Sequence, residues 1–78
     1  MKIIYIYDIK AKNKKKFNRT KRLFYYYLHK IDLGPGFWKT KSTIAVNPGK
    51  EKVMDGLFKK FGKSIEVYKI IAETIEEI

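Results

Sequence analysis

An α+β sandwich, with two helices laid on one face of an antiparallel sheet, is predicted by three features of the chain. The runs at residues 2–7 and 64–70 are apolar, β-branched and aromatic without helical spacing. Two segments between them repeat apolar residues at helical intervals, and Gly- and Pro-containing turns separate the pieces. The resulting order is strand, helix, strand or hairpin, helix, strand.

In the first strand Ile4 and Ile6 face one way and Ile3, Tyr5 and Tyr7 the other, so both faces are apolar, as a central strand requires. Asp8 stands at its C-terminal end. The Lys-rich stretch from Lys10 to Lys16 leads into an amphipathic helix over about 12–31, in which Phe17, Phe24, Leu28 and Ile31 recur with Tyr27 alongside. The opposite side of that helix carries Lys14, Lys15, Arg19, Arg22 and Lys30, and Gly34-Pro35-Gly36 ends it. Residues 37–47 form a strand or bent hairpin with its break near Lys41 and Ser42. Asn47 is the expected N-cap of a second helix, Pro48 its first residue, and Val53, Met54, Leu57, Phe58 and Phe61 its apolar face as far as Gly62. After the last strand, Ile71, Ile75 and Ile78 recur at four and three, marking either a short helix or an acidic arm. Residues 1–78 thus make one domain of the ferredoxin-like βαββαβ type. Its uncovered sheet face, where Tyr5 and Tyr7 or their neighbours project, is a natural homodimer surface.

A chain of 78 residues buries only about 60% of its unfolded surface, which excludes a second core and a deep cofactor cavity. With no Cys and one His, disulfide scaffolds, thiol catalysis and Cys- or His-rich zinc sites fall away as well. No run approaches the roughly 20 apolar residues of a membrane span, and no small-residue cleavage site follows the first strand, so a soluble, unprocessed, cytoplasmic protein without membrane partners is expected.

Charge is the strongest functional signal. The net formal charge is +10, and residues 1–63 hold 17 Lys or Arg against 4 Asp or Glu, whereas residues 64–78 hold Lys69 against Glu66, Glu73, Glu76 and Glu77. A basic body of this strength suits a polyanion, nucleic acid before membrane, because phosphates that bind Lys and Arg release counterions. Part of the Lys excess also follows a bias of thermophile proteins and A+T-rich coding, in which Lys, Ile, Tyr and Glu abound.

The first strand, Ile3-Ile4-Tyr5-Ile6-Tyr7-Asp8-Ile9, followed by a basic helix, resembles the small CRISPR-associated protein of the spacer-adaptation complex, an endoribonuclease-like family. Gly36 and Ser42 keep that family's spacing of a Gly six residues before the Ser that opens a later strand. The resemblance implies a ferredoxin-like homodimer, a larger adaptation-complex subunit as a further partner, metal-dependent phosphodiesterase activity in some members and structural bridging of nucleic acid in others. The chain departs from the family at Trp38, Thr40 and Ile44-Ala45, where Arg, Gln and Phe-Glu are usual, and its C-terminal strand, Ile71 to Ile78, is abbreviated.

Asp8 is the candidate catalytic and metal-binding residue, since Mg²⁺ takes oxygen ligands and is held by one or two carboxylates with several waters. In a homodimer two copies of Asp8 facing each other across the two-fold axis could hold a metal that activates water. Alternatively Asp8 starts a turn or caps the basic helix. The candidate phosphate-binding residues are Lys14, Lys15, Lys16, Arg19, Lys21, Arg22, Lys39 and Lys41, which could equally form a solvated face. Tyr25 to Tyr27 and Trp38 invite base stacking, but no RNP-like strand accompanies Tyr5 and Tyr7, and core packing accounts for most aromatics. His29 lacks a catalytic partner at motif spacing and is expected to be a helix-surface residue, and Ser42 lacks a nucleophile-elbow context and is expected to be structural. Two readings remain: a Mg²⁺-dependent nuclease centred on Asp8, and a non-catalytic DNA- or RNA-binding dimer with an assembly, viral or mobile-element role. A ribonuclease toxin on the same fold shares the first pattern.

Overall fold

Ile3, Tyr5 and Tyr7 turn inward from the first strand, β1 (Lys2–Ile9), and the core is assembled on them. The computed structural model describes residues 1–76 and 78. After β1 come α1 (Lys14–His29), β2 (Trp38–Lys39) and β3 (Thr43–Val46). A 3₁₀ turn (Pro48–Lys50) precedes α2 (Glu51–Phe61), and β4 (Ile65–Ala72) closes the sheet. The strands lie in the order β2-β3-β1-β4 with every neighbouring pair antiparallel. Two helices on a four-stranded antiparallel sheet make an α+β architecture compatible with the ferredoxin-like expectation. Among the described residues no helix is long and apolar enough to cross a membrane.

Side-chain alternation sorts the sheet into two faces. Ile3, Tyr5, Tyr7, Ile44, Val46 and Ile65 pack against Phe24 and Leu28 of α1 and Met54, Leu57 and Phe58 of α2. Phe24 is the hub, with the rings of Tyr7, Phe58 and Phe61 within 5.6 Å of its own. Such offset and edge contacts add to the burial energy of each ring. The other face carries Ile4, Ile6, Trp38, Ala45, Tyr68 and Ile70, the last two being register partners of Ile6 and Ile4. Of the two alternatives for the uncovered face, the neighbours Ile4 and Ile6 project there, while Tyr5 and Tyr7 lie beneath the helices.

Four local details differ from expectation. The first helix starts at Lys14 because Asn13, not Asp8, caps it: the Asn13 side chain accepts from the Lys16 backbone N–H at 2.9 Å. It stops at His29, several residues before the glycines, and Ile31 closes a further turn by donating to the Leu28 carbonyl. Gly34 and Gly36 instead serve the loop that follows, where φ values of 78° and 72° put both in the left-handed region. Asn47 makes no capping bond. Its side chain accepts from the Lys2 ammonium at 2.9 Å and donates to the Pro35 carbonyl at 3.0 Å, joining that loop to the sheet. Val53 is 42% exposed, since the apolar face of α2 is centred on Met54, Leu57 and Phe58 and the position before Met54 turns outward.

The last strand runs to Ala72, so Ile71 belongs to the sheet, and residues 73–76 have no helical structure. Ile75 and Glu76 nevertheless approach Lys2, Gly36, Phe37 and Trp38 around a shallow hollow. Glu77, part of the acidic segment, lies outside the described residues.

Candidate nucleic-acid interface

At 3.6 residues per turn, the buried residues Phe24 and Leu28 fix which way every other side chain of α1 points. Directly opposite them run Lys15, Arg19, Arg22 and Tyr26, spaced four, three and four apart, with Lys30 one turn beyond. Lys14, Lys15, Lys16, Arg19, Lys21 and Arg22 are all exposed. No Asp or Glu occurs anywhere in α1. Among the described residues the ion pairs are Lys10 with Asp8 and Lys69 with Glu51 and Asp55, so none of the six cations of α1 is neutralised by a carboxylate.

The β2–β3 turn extends this surface. Its Lys41 carbonyl lies 3.2 Å from both the Tyr7 and Tyr25 hydroxyls, which are 3.3 Å from each other. Burial, followed by the bond to Tyr25, raises the Tyr7 hydroxyl above the ordinary tyrosine range and keeps it neutral. The turn is thereby fastened to α1, and the Lys39 ammonium sits 5.8 Å from the Tyr25 ring centroid. Lys21, Lys41 and Asp8 come together around a hollow of about 190 Å³ whose remaining walls are Tyr7, Ile9, Phe17, Tyr25 and Ser42. Three of the residues singled out in the sequence therefore share one place. Lys15, Lys16 and Arg19 share another with Asn13. Tyr25, which fastens the turn, was not legible as a positioning residue, because its neighbour Phe24 carries the apolar period.

Asp8 lies within β1 and is exposed. Its register partner on β4 is Glu66, and Lys10 pairs with its carboxylate at 3.0 Å. That contact, with the field of Glu66 added, raises the Lys10 ammonium above its ordinary value. No group of three His, Cys, Asp or Glu side chains forms a metal cage among the described residues. Asp8 and Glu66 are carboxylates that the β1–β4 register sets side by side, and Mg²⁺ accepts as few as one or two when it keeps its waters.

A second polar cluster joins β1, α2 and β4. The Tyr5 hydroxyl donates to Asp55 Oδ1 at 2.7 Å, and the Lys69 ammonium bonds Glu51 Oε2 at 2.7 Å and Asp55 Oδ2 at 2.9 Å. Each of these groups satisfies another, so the cluster ties elements together. His29 is an exposed helix residue with its ring 6.4 Å from that of Tyr25. Comparison with protein-family models, with curated proteins and with solved structures finds no match.

Proposed function

We propose that this chain is a nucleic-acid-binding protein that grips phosphate through the outer face of α1 and the β2–β3 turn. The observation that carries the reading is an acid-free helix whose six cations are exposed and, among the described residues, unpaired, continued by Lys39 and Lys41. Lys contacts with phosphate carry no base information, so binding is expected to be independent of sequence. The strand order and antiparallel pairing support a fold of ferredoxin-like type, and the exposed Ile6, Tyr68 and Ile70 support a homodimer packed through the uncovered sheet face. The relation to the adaptation-complex family, with its larger partner subunit, stands on the first-strand and Gly36-to-Ser42 resemblance.

A second reading, metal-assisted phosphodiester cleavage, is favoured by Asp8 and its register partner Glu66, side by side on the sheet next to the hollow that Lys21 and Lys41 line. Mg²⁺ held by these carboxylates would supply an activated water, while Lys21 and Lys41 would orient the phosphate. Labelled single- and double-stranded RNA and DNA, incubated with and without Mg²⁺ beside Asp8→Ala, separate the two. Binding without cleavage by either protein supports the first reading. Metal-dependent cleavage lost in Asp8→Ala supports the second, and no binding to any of the four nucleic acids refutes both.

A further inference from the structure

Tyr26 stands at the centre of the cationic stripe, directly opposite the buried side of α1, and is 53% exposed. Leu23 beside it is 45% exposed, and Arg19 and Arg22 complete an almost wholly apolar hollow of about 480 Å³. The ring is held rather than free. The Lys30 ammonium lies 4.4 Å from its centroid, and the Tyr27 ring meets it edge-on at 5.3 Å. Tyr27 is in turn set against Phe61 and covered by the Lys60 ammonium at 4.5 Å.

An exposed Tyr–Leu pair ringed by cations has few suitable occupants. A partner helix needs apolar anchors over two turns or more, and here the exposed apolar surface is a single pair of side chains. A bilayer needs a broad apolar face, and that of α1 is already committed to the core through Phe24 and Leu28. What fits is a polyanion that offers one small flat apolar group for each charge. We infer that Tyr26 and Leu23 form a stacking platform for an unpaired nucleobase, with Arg19, Arg22 and Lys30 holding the adjoining phosphates, so that the protein prefers single-stranded to duplex nucleic acid. Arg22 and Lys30 lie one turn either side of Tyr26, about 6 Å along the helix in each direction. A strand following the helix thus meets cation, ring and cation in succession. The inference rests on the phosphate-binding reading and adds base contact to it.

Fluorescence anisotropy with a labelled oligo-uridine strand, an abasic strand of equal length and a duplex tests it on the full chain. Wild type should bind the base-bearing strand roughly 5- to 150-fold more tightly than the abasic one, the range measured for loss of one base–aromatic stack. Tyr26→Ala should remove that difference while leaving abasic binding and the melting temperature unchanged, and Tyr26→Phe should retain it. Equal affinity of wild type for base-bearing and abasic strands, or tighter binding to the duplex, would overturn the inference while leaving the phosphate grip intact. Binding to none of the three would overturn both. If anionic lipid vesicles bind in a Tyr26-dependent manner while the oligonucleotide does not, the patch belongs to a membrane surface and the inference fails.

Discussion

The Tyr5 hydroxyl donates to the Asp55 carboxylate at 2.7 Å, so the central strand is tied to α2 by a charge-assisted bond at the edge of the core. Partial burial pushes the Asp55 carboxyl up. The bonds from Lys69 and Tyr5, with the field of Lys69 and Lys59, outweigh it and hold the carboxyl below the ordinary aspartate value. A depressed folded-state value contributes stability that is present above the unfolded aspartate value, near 4, and is lost as pH falls through the folded one. Acid unfolding should therefore show a component below about pH 4 that Asp55→Asn removes. Tyr5→Phe should lower stability by about 1–2 kcal/mol in urea titration at neutral pH.

At the alkaline end the sign reverses. Burial raises the Tyr5 and Tyr7 hydroxyls above the ordinary value, so their contribution is complete below about pH 10 and is lost as pH rises toward the folded-state values. In a pH titration followed by tyrosinate absorbance, the two core tyrosines should ionise only with unfolding. Tyr7→Phe should lower the pH dependence of stability above pH 10 without changing its acid limb.

Phe24 is fully buried and touches Tyr7, Phe58 and Phe61. Truncating a buried Phe costs about 3–5 kcal/mol, a large share of the roughly 4–12 kcal/mol expected of a domain this size. Phe24→Ala should be largely unfolded by circular dichroism at 37 °C or lower, whereas Phe24→Leu should fold and melt at a lower temperature.

Ile6 and Tyr68 are register partners on the uncovered sheet face, 41% and 62% exposed. If that face joins two copies, Ile6→Lys should convert a dimer to a monomer in sedimentation equilibrium while leaving the melting of the isolated fold unchanged. A wild-type protein that is monomeric at high micromolar concentration would contradict the dimer.

Much of this fold was legible because its signals are local. The alternation in Ile3-Ile4-Tyr5-Ile6-Tyr7 and the helical recurrence of Phe24, Leu28, Met54, Leu57 and Phe58 depend on burial alone, and burial imposes its period directly on the sequence. Asn47 takes the expected N-cap position, with Pro48 first in the 3₁₀ turn that leads into α2, but its side chain makes no capping bond because Lys2, 45 positions away, captures it. The same holds for Tyr25 and Lys41, whose contact joins a helix to a hairpin turn and leaves no periodic trace. Which face of β1 met the helices was also undetermined, since Ile4 and Ile6 are as apolar as Ile3 and Tyr5. Only the partners on α1 and α2 decide it. In the candidate site, the cations could be read from composition, but the placing of Asp8, Lys21 and Lys41 around one hollow required the tertiary fold.

The phosphate grip of α1 is tested most directly by the salt dependence of binding to a single strand, measured for wild type and for Arg19→Gln/Arg22→Gln. Engagement of several phosphates predicts a log–log slope steeper than about −2 for wild type, and a slope shallower by roughly 1.4 for the double variant, because each lost contact to a single strand removes about 0.7. A wild-type slope shallower than about −2, or one that the two substitutions leave unchanged, would contradict the assignment of this face to nucleic acid.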